Sequence, residues 1–371
     1  MLEPQDRRLF LESLRPPDGY TLDRAIGTTY SLDLLALLTA PLAFTMFDWE
    51  DNEGRPLADP LALLEAVRRN SDRTAVFCQA GEIKVPRRAQ LLLGYLEGSI
   101  VEVTARGRGG VFHPKVWALR FLAPGKPVLY RLVCLSRNLT FDRSWDTILV
   151  VEGELVDRKK AFASNHPLAA FVRALPSLAV RDVPAGVTQI VDLFQNELRR
   201  VRFAPPEGYE ELAFWPLGHT GKEEWPFEGI DRALVISPFL SDRLLGRLAA
   251  EGKEHVLVSR LASLQALKAK TREQFRSLHV LREGTEGESD GGDALGGEGS
   301  LAGLHAKVYV VDHGWNASVF CGSANATDAA FAKNVEFLVE LRGKKSKYGV
   351  EATLASRDGE TSLSSLLEEV N

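Results

Sequence analysis

The sequence LHAKVYVVD at residues 304–312 begins a block that occurs twice in this chain. In the second half the block continues with two further pieces, VFCGSANAT (319–327) and KNVEFLVEL (333–341). The first half contains three matching pieces in the same order, FHPKVWALRF (112–121), LVCLSRNLT (132–140) and SWDTILVVEG (144–153). Each piece contains an apolar, strand-like run. The repeat predicts two similar halves, each built around the same succession of strands.

The matched positions carry side chains suited to chemistry on an anion. The pairs are His113 with His305, Lys115 with Lys307, Ser136 with Ser323, Asn138 with Asn325, and Asp146 with Glu336. On a β-strand, the histidine and lysine of an HxK sequence point to the same face, about 6–7 Å apart. Both asparagines stand just past the next strand, where their amides can reach the same place.

Two such clusters facing each other would form a site for a tetrahedral anion. Lysine and asparagine side chains donate to the non-bridging oxygens. One imidazole can attack the central atom while the other protonates the leaving oxygen. The residues therefore predict a catalytic site built from both halves of the chain.

The composition is that of an ordinary globular protein. The chain has 371 residues, of which 45% are hydrophobic and 26% charged, with a net charge of −5. These values exclude a disordered or fibrous chain and a uniformly basic surface. The length predicts two domains or one large one. With the repeat, we expect two halves at residues 1–180 and 181–371. Three cysteines without CxxC spacing and a polar N-terminus predict a cytoplasmic protein that does not contact membranes.

Strand and helix signals alternate along the chain, which predicts an α/β fold. A helix is expected at residues 34–38 and a buried strand at 41–47. A long amphipathic helix is expected at 186–203, and a basic helix at about 261–276.

The repeated block resembles the signature of the phospholipase D superfamily, HxKxxxxD followed by GSxN. The second half has all of it, in His305, Lys307, Asp312, Gly322, Ser323 and Asn325. Glu336 follows where this superfamily often carries the carboxylate that orients the histidine. In the first half Arg120 replaces the aspartate, which is mainly structural in the family, and Leu135 replaces the glycine. Asp146 is the corresponding candidate carboxylate there.

The resemblance implies a phospholipase D-like α/β fold of two pseudo-symmetric α-β-α sandwich halves, with the active site between them. It implies a covalent phosphohistidine mechanism with no metal or other cofactor. The implied catalytic residues are His113, His305, Lys115, Lys307, Asn138, Asn325, Glu336 and Asp146. His113 is favoured as the nucleophile and His305 as the acid, although the better-preserved second motif supports the reverse. Ser136 and Ser323 either contact the phosphate or only shape the turn.

Local charge favours nucleic acid as the substrate. Residues 84–143 carry eleven lysines and arginines and three acidic residues, in a chain whose net charge is −5. A second basic segment covers 260–282. Such clustering is typical of a groove that binds a polyanion. Candidate substrate-binding residues are Arg87, Arg88, Arg106 and Arg108, and DNA is expected in preference to RNA.

The function expected from these features is a metal-independent DNA nuclease, an endonuclease. The sequence also resembles bacterial phospholipase D-like proteins of restriction and anti-phage systems. Some of these lie beside HerA-like hexameric ATPases, so a HerA-type ATPase partner and a homo-oligomer are further expectations. Two alternatives stay open. One is a phospholipid hydrolase or phosphatidyltransferase, and the other is a non-catalytic nucleic-acid-binding subunit.

Overall fold

The structure is a computed structural model of the chain. It describes residues 10–45, 60–87, 91–140, 144–282, 303–355 and 362–370. Within these ranges, no helix has both the length and the apolar character needed to cross a membrane.

The first half is built on one mixed sheet. The strands are, in chain order, β1 (Thr21–Thr29), β2 (Leu32–Asp33), β3 (Thr74–Gln79), β4 (Ile83–Lys84), β5 (Ile100–Val103), β6 (Val116–Leu122), β7 (Leu129–Leu135), β8 (Ile148–Leu155) and β9 (Val201–Phe203). The helices are α1 (Phe10–Leu14), α2 (Leu34–Thr45), α3 (Pro60–Ser71), α4 (His166–Ala174) and α5 (Ala185–Leu198). The sheet runs in the order β5-β3-β1-β6-β7-β8-β9, while β2 and β4 pair separately. Strands β1, β3 and β5 are parallel, and β6, β7 and β8 form an antiparallel meander beside β1.

The second half repeats this arrangement. Its strands are β10 (Glu211–Leu217), β11 (Arg232–Ile236), β12 (His255–Val258), β13 (Phe275–Leu281), β14 (Val308–His313), β15 (Asn316–Gly322), β16 (Glu336–Lys344) and β17 (Leu367–Glu369). Its helices are α6 (Asp242–Leu248), α7 (Leu261–Gln265), α8 (Ala269–Arg272), α9 (Asp328–Ala332), α10 (Lys345–Tyr348) and α11 (Val350–Leu354). The sheet order is β10-β16-β15-β14-β11-β12-β13-β17. The parallel strands β11, β12 and β13 correspond to β1, β3 and β5, and the meander β14, β15 and β16 to β6, β7 and β8.

The two halves meet along a pseudo-two-fold seam. Two parallel bridges connect them, one between Phe112 and Val335 and the other between Trp145 and Leu304. The inner faces of both sheets share one hydrophobic core with α4 and α5. The outer face of the first sheet packs on α1, α2 and α3, and that of the second on α6, α7 and α9. This architecture is a phospholipase D-like α/β fold, as expected, and the close packing of the seam fixes the two motifs relative to each other.

The apolar run at residues 41–47 is not a strand where the structure describes it. Helix α2 continues through Pro41 to Thr45, and residues 46 and 47 lie outside the described residues. Asp33 caps this helix, since its Oδ1 accepts a hydrogen bond from Leu35 N at 2.9 Å. The strand prediction was therefore wrong. A uniformly apolar run has no hydrophobic period, so its sequence cannot distinguish a buried strand from a buried helix.

Two other helix predictions were too long. The helix predicted at 186–203 ends at Leu198, and β9 begins at Val201. The basic segment at 261–276 forms the short helices α7 and α8 and then enters β13 at Phe275. In both places the chain leaves the helix to add a strand to a sheet, which local propensity does not predict. The domain boundary at residue 180 stays a prediction.

Candidate active site

The side chain of His113 is held by a carboxylate from the other half of the chain. His113 Nδ1 lies 2.9 Å from Oε2 of Glu336, which begins β16. Burial raises the pKa of Glu336, but the charge and hydrogen bond of His113 outweigh it, and the pKa lies below its usual value. The carboxylate is therefore ionised and accepts from Nδ1–H. This leaves Nε2 of His113 with a free lone pair.

The equivalent pair, related by the pseudo-two-fold axis, joins His305 to the first half. His305 Nδ1 lies 3.0 Å from Oδ1 of Asp146. Burial raises the pKa of Asp146, but hydrogen bonds from His305 and Ser144 outweigh it and keep the pKa below its usual value. His305 Nδ1 therefore donates to an ionised carboxylate, and its Nε2 also faces away from the pair.

Backbone contacts at the seam produce this crossed pairing. The His113 N–H donates to Val335 O at 2.8 Å, and Glu336 is the next residue after that carbonyl. In the same way, the His305 N–H donates to Trp145 O at 3.0 Å, directly before Asp146. Each carboxylate follows the histidine of its own half in the sequence, yet each contacts the histidine of the other half. Neither pair can form unless the halves are joined.

The two motif serines hold the carboxylates. Ser323 Oγ donates to Glu336 Oε2 at 2.5 Å, and Ser136 Oγ donates to Asp146 Oδ1 at 3.1 Å. Both serines are fully buried. In this arrangement the two hydroxyls position the carboxylates. The predicted contact of these serines with the phosphate stays a prediction.

The two motif lysines are buried beside the histidines. Lys115 Nζ donates to His113 O at 2.8 Å, and Lys307 Nζ donates to His305 O at 2.5 Å and to Ser136 O at 3.2 Å. Burial is the main cause that lowers the pKa of Lys307 to about 7, and burial also lowers the pKa of Lys115. An anion bound between these lysines would raise their pKa and so favour their charged form.

The motif asparagines complete the polar lining. The side-chain oxygens of Asn138 and Asn325 are buried and have no hydrogen-bond partner. Buried polar atoms are seldom left unpaired in proteins, and functional sites account for many of the exceptions. The two amides stand at equivalent ends of β7 and β15, so a ligand between the halves would have an amide on each side.

Three of the four basic candidates lie on the surface and not in this buried cluster. Arg87, Arg106 and Arg108 are exposed, and Arg106 donates to Ser177 Oγ at 2.7 Å. Arg106 and Arg108 lie in the segment that leads from β5 to His113. Arg88 lies outside the described residues. Arg87, Arg106 and Arg108 make no hydrogen bond to the catalytic cluster among the described residues. Their contact with a polyanion stays a prediction.

Two residues that the motif does not include also contact the cluster. The ring of Tyr30 lies 5.5 Å from that of His113, and Asn334 Nδ2 donates to Glu336 Oε1 at 3.1 Å. Tyr30 directly follows β1. Asn334 precedes Glu336 by two residues. On an extended segment this spacing places both side chains on one face, and it is the feature of the sequence that could have indicated their contact.

The missing aspartate of the first motif is replaced by a different buried network. Arg120 donates to Glu197 Oε2 at 2.9 Å and to Asp23 Oδ2 at 2.7 Å. In the second half Asp312 Oδ1 accepts from Val350 N at 3.0 Å. Arg120 and Asp312 each connect a strand of the meander to neighbouring elements by hydrogen bonds. Neither side chain contacts a motif histidine, so the replacement by Arg120 leaves the catalytic cluster unchanged.

The arrangement is suited to displacement at phosphorus. It offers one imidazole with a free nitrogen to attack, a second to exchange a proton with the leaving oxygen, and two ammonium groups for the non-bridging oxygens. Within the described ranges, no group of three or more His, Cys, Asp or Glu side chains is arranged to hold a metal ion.

No protein-family model matches the chain, and no curated protein matches it. Solved structures do match its fold. The yeast tyrosyl-DNA phosphodiesterase aligns over 90% of this chain and 85% of its own, with a TM-score of 0.53 and 12% identity. A histidine-to-asparagine mutant of that enzyme aligns over 95% of this chain and 89% of its own, with a TM-score of 0.53 and 11% identity. At these identities the likeness concerns the fold.

Proposed function

We propose that this protein is a phosphodiesterase that cleaves nucleic acid, DNA in preference to RNA, through a phosphohistidine intermediate. One observation carries the proposal. Two histidine–carboxylate pairs, each formed across the seam, lie beside two buried lysines. A structural role would not require histidine, lysine and asparagine at equivalent places in both halves. The likeness in fold to tyrosyl-DNA phosphodiesterase supports the same reaction class.

In the proposed first step, Nε2 of His113 attacks the phosphorus atom. The bond from phosphorus to the leaving oxygen breaks, and Nε2–H of His305 gives its proton to that oxygen. In the second step, the now neutral His305 takes a proton from water, whose oxygen attacks phosphorus and releases Nε2 of His113. Lys115 and Lys307 stabilise the charge on the non-bridging oxygens in both steps. Each step balances in protons, so no further reactant is required.

We assign the nucleophile to His113 because its orienting carboxylate is the more deeply buried of the two. The Glu336 side chain is fully buried, while that of Asp146 is 12% exposed. Burial is the main cause that lowers the pKa of His113 to about 4, so this imidazole stays neutral at physiological pH. A neutral imidazole with a fixed Nδ1–H is the form that attacks.

The direct test is to incubate the protein with labelled DNA, RNA and phospholipid in parallel, each with excess EDTA. We expect DNA cleavage to persist in EDTA, because the two histidines supply both the nucleophile and the acid. Loss of cleavage in EDTA with rescue by Mg²⁺ would contradict the histidine mechanism. Turnover of phospholipid alone would favour a lipid hydrolase or phosphatidyltransferase. Binding of DNA without cleavage would favour a non-catalytic subunit.

The basic segment provides a second prediction. Reversing the charge of Arg87, Arg88, Arg106 and Arg108 to glutamate should weaken DNA binding about ten-fold or more and flatten its dependence on salt. The matched control reverses the charge of Lys159 and Lys160. These two exposed lysines follow the C-terminal end of β8, whereas Asp146 precedes its N-terminal end. Filter binding across a salt series measures both variants. Equal affinity in the two variants would rule out a DNA contact by these arginines.

The pH dependence of kcat/KM gives a third prediction. His113 must be unprotonated, so the rate should fall below about pH 4. His305 must be protonated to act as an acid, and burial lowers its pKa below 6.5, so the rate on DNA should fall on the alkaline side of that lowered value. An activated nitrophenyl phosphodiester needs no proton on its leaving group. Its alkaline limb should instead follow Lys307, whose pKa is about 7. Identical alkaline limbs for both substrates would contradict the assigned acid.

A role in restriction or anti-phage defence, with a HerA-type ATPase as a partner and self-association of the chain, rests on the sequence resemblance. These are further proposals. Light scattering of the protein alone, and then mixed with such an ATPase, measures both associations.

A further inference from the structure

The two sides of the site can be compared position by position, because the strand ends make the same contacts in each half. In the first half, Thr29 Oγ1 donates to Ser31 O at 2.8 Å. In the second half, Ser237 Oγ donates to Phe239 O at 2.8 Å. Phe239 therefore occupies the position that Ser31 has in the first half. At this pair of positions the second half has an aromatic ring and the first half a small hydroxyl. The first half has its aromatic ring one residue earlier, at Tyr30, where it lies against His113.

A second pair of equivalent positions differs in charge. Gln79 Oε1 accepts a hydrogen bond, at 2.6 Å, from the backbone N–H of the residue directly before His113. Arg260 Nε donates, at 2.9 Å, to the backbone carbonyl of the residue directly before His305. Both side chains therefore brace the strand that carries a catalytic histidine. Only the second half places a cation there.

Phe239 and Arg260 form one unit. The guanidinium carbon of Arg260 lies 5.1 Å from the centre of the Phe239 ring. The loop that carries Phe239 is anchored to α7, because Ser263 Oγ donates to Pro238 O at 2.7 Å. Even so, Phe239 is 46% exposed. An exposed aromatic ring on a braced loop offers a contact surface at little cost in conformational entropy.

This unit lies close to the reacting centre. Leu240, the residue after Phe239, forms a bridge with Ala326, the residue after Asn325. Burial is the main cause that lowers the pKa of Lys307, and the charge of Arg260 lowers it further. The guanidinium is thus within electrostatic reach of a lysine that would hold the reacting phosphate.

We propose that Phe239 and Arg260 form a platform that binds an unpaired nucleotide next to the phosphodiester to be cleaved. The base stacks on the part of the Phe239 ring that Arg260 leaves uncovered, and the guanidinium attracts the adjoining phosphate. Stacking of this kind accepts any base and requires one that is free of the duplex interior. The proposal rests on the proposed function and adds a substrate class, single-stranded nucleic acid. The equivalent positions of the first half hold Ser31 and Gln79, and its neighbouring ring, Tyr30, lies against His113. We therefore place the platform in the second half, where it would hold the strand in one orientation.

The test measures binding of single-stranded DNA by fluorescence anisotropy, with His113→Asn as the background so that no strand is cut. Phe239→Ala should raise Kd about ten-fold, the usual scale of one base–aromatic stack. Phe239→Trp should restore tight binding. The matched control is Leu261→Ala, because Leu261 is a neighbouring side chain that is 48% exposed, and its Kd should be unchanged.

An abasic strand of the same length separates stacking from a general loss of structure. Phe239→Ala should weaken binding of the normal strand and leave binding of the abasic strand unchanged. Equal loss on both strands, or loss on neither, overturns the platform. Cleavage of DNA by the wild type with no effect of Phe239→Ala on Kd overturns the platform while the proposed function stands. If the wild type binds in a base-dependent way but does not cleave DNA, the proposed function is overturned while the platform stands. If no strand binds at all, both the platform and the proposed function are overturned.

Discussion

Replacing His113 with asparagine should reduce cleavage of DNA by about 10⁴-fold or more. When catalytic groups act as a unit, removing one of them costs nearly as much rate as removing all of them. Asparagine keeps a polar side chain of similar reach but has no nitrogen lone pair that can attack phosphorus. His113→Asn should also form no covalent intermediate. The measurement is single-turnover cleavage of a labelled strand, with circular dichroism to show that the variant is folded.

His305→Asn should behave differently on an activated nitrophenyl phosphodiester. Its leaving group departs without a proton, so His113 can still be phosphorylated. The second step needs His305 to activate water, so the phosphorylated protein should accumulate. Mass spectrometry after a quench without acid detects the added mass on His113. Label on His305 in the His113→Asn variant would reverse the two roles, and wild-type rates in both variants would remove these histidines from the mechanism.

The repeated block was enough to predict two similar halves, and its resemblance to a known superfamily implied their fold. An HxK sequence on a strand places its two side chains on one face whatever the rest of the chain does, and a second copy predicts a second half. The structure has two sheets with the same order of parallel strands and meander. The two-residue period of a strand accounts for the shared face of each histidine and lysine, while the two-sheet fold was implied by the repeat and by the resemblance.

Helix α2 could not be predicted in full from hydrophobic periodicity. The run around Pro41 is apolar on all sides, so it carries no period, and Pro41 itself argued for a break. The structure keeps the helix because α2 is buried between the outer face of the first sheet and its neighbouring helices. Packing of this kind depends on residues remote in sequence and outweighs local propensity.

The crossed carboxylates could not be predicted for a related reason. Sequence order places Asp146 after His113 and Glu336 after His305, which suggests pairing within each half. The actual partners are set by two bridges across the seam, at Phe112 and at Trp145. Nothing in either segment alone encodes which half it will contact. The crossing also means that each half is catalytically incomplete without the other.

Removing Glu336 should therefore disable the histidine of the opposite half. Glu336→Gln keeps the size of the buried side chain but removes the charge that holds Nδ1–H on His113. A comparable loss of an orienting carboxylate costs on the order of 10³–10⁴-fold. Asp146→Asn is the matched variant, because Asp146 makes the equivalent contact with His305 and both carboxylates lie near the buried lysines.

The His305→Asn background tells the two pairings apart, because there the phosphorylation of His113 can be timed by itself. If the pairs cross, adding Glu336→Gln should slow this phosphorylation by at least about 100-fold, since Glu336 acts through His113. Adding Asp146→Asn should change it little, since the partner of Asp146 is already gone. Stopped-flow release of nitrophenol gives both rates. The opposite pattern, with Asp146→Asn slow and Glu336→Gln unchanged, would mean that each carboxylate serves the histidine of its own half and that the crossed contacts do not operate in catalysis.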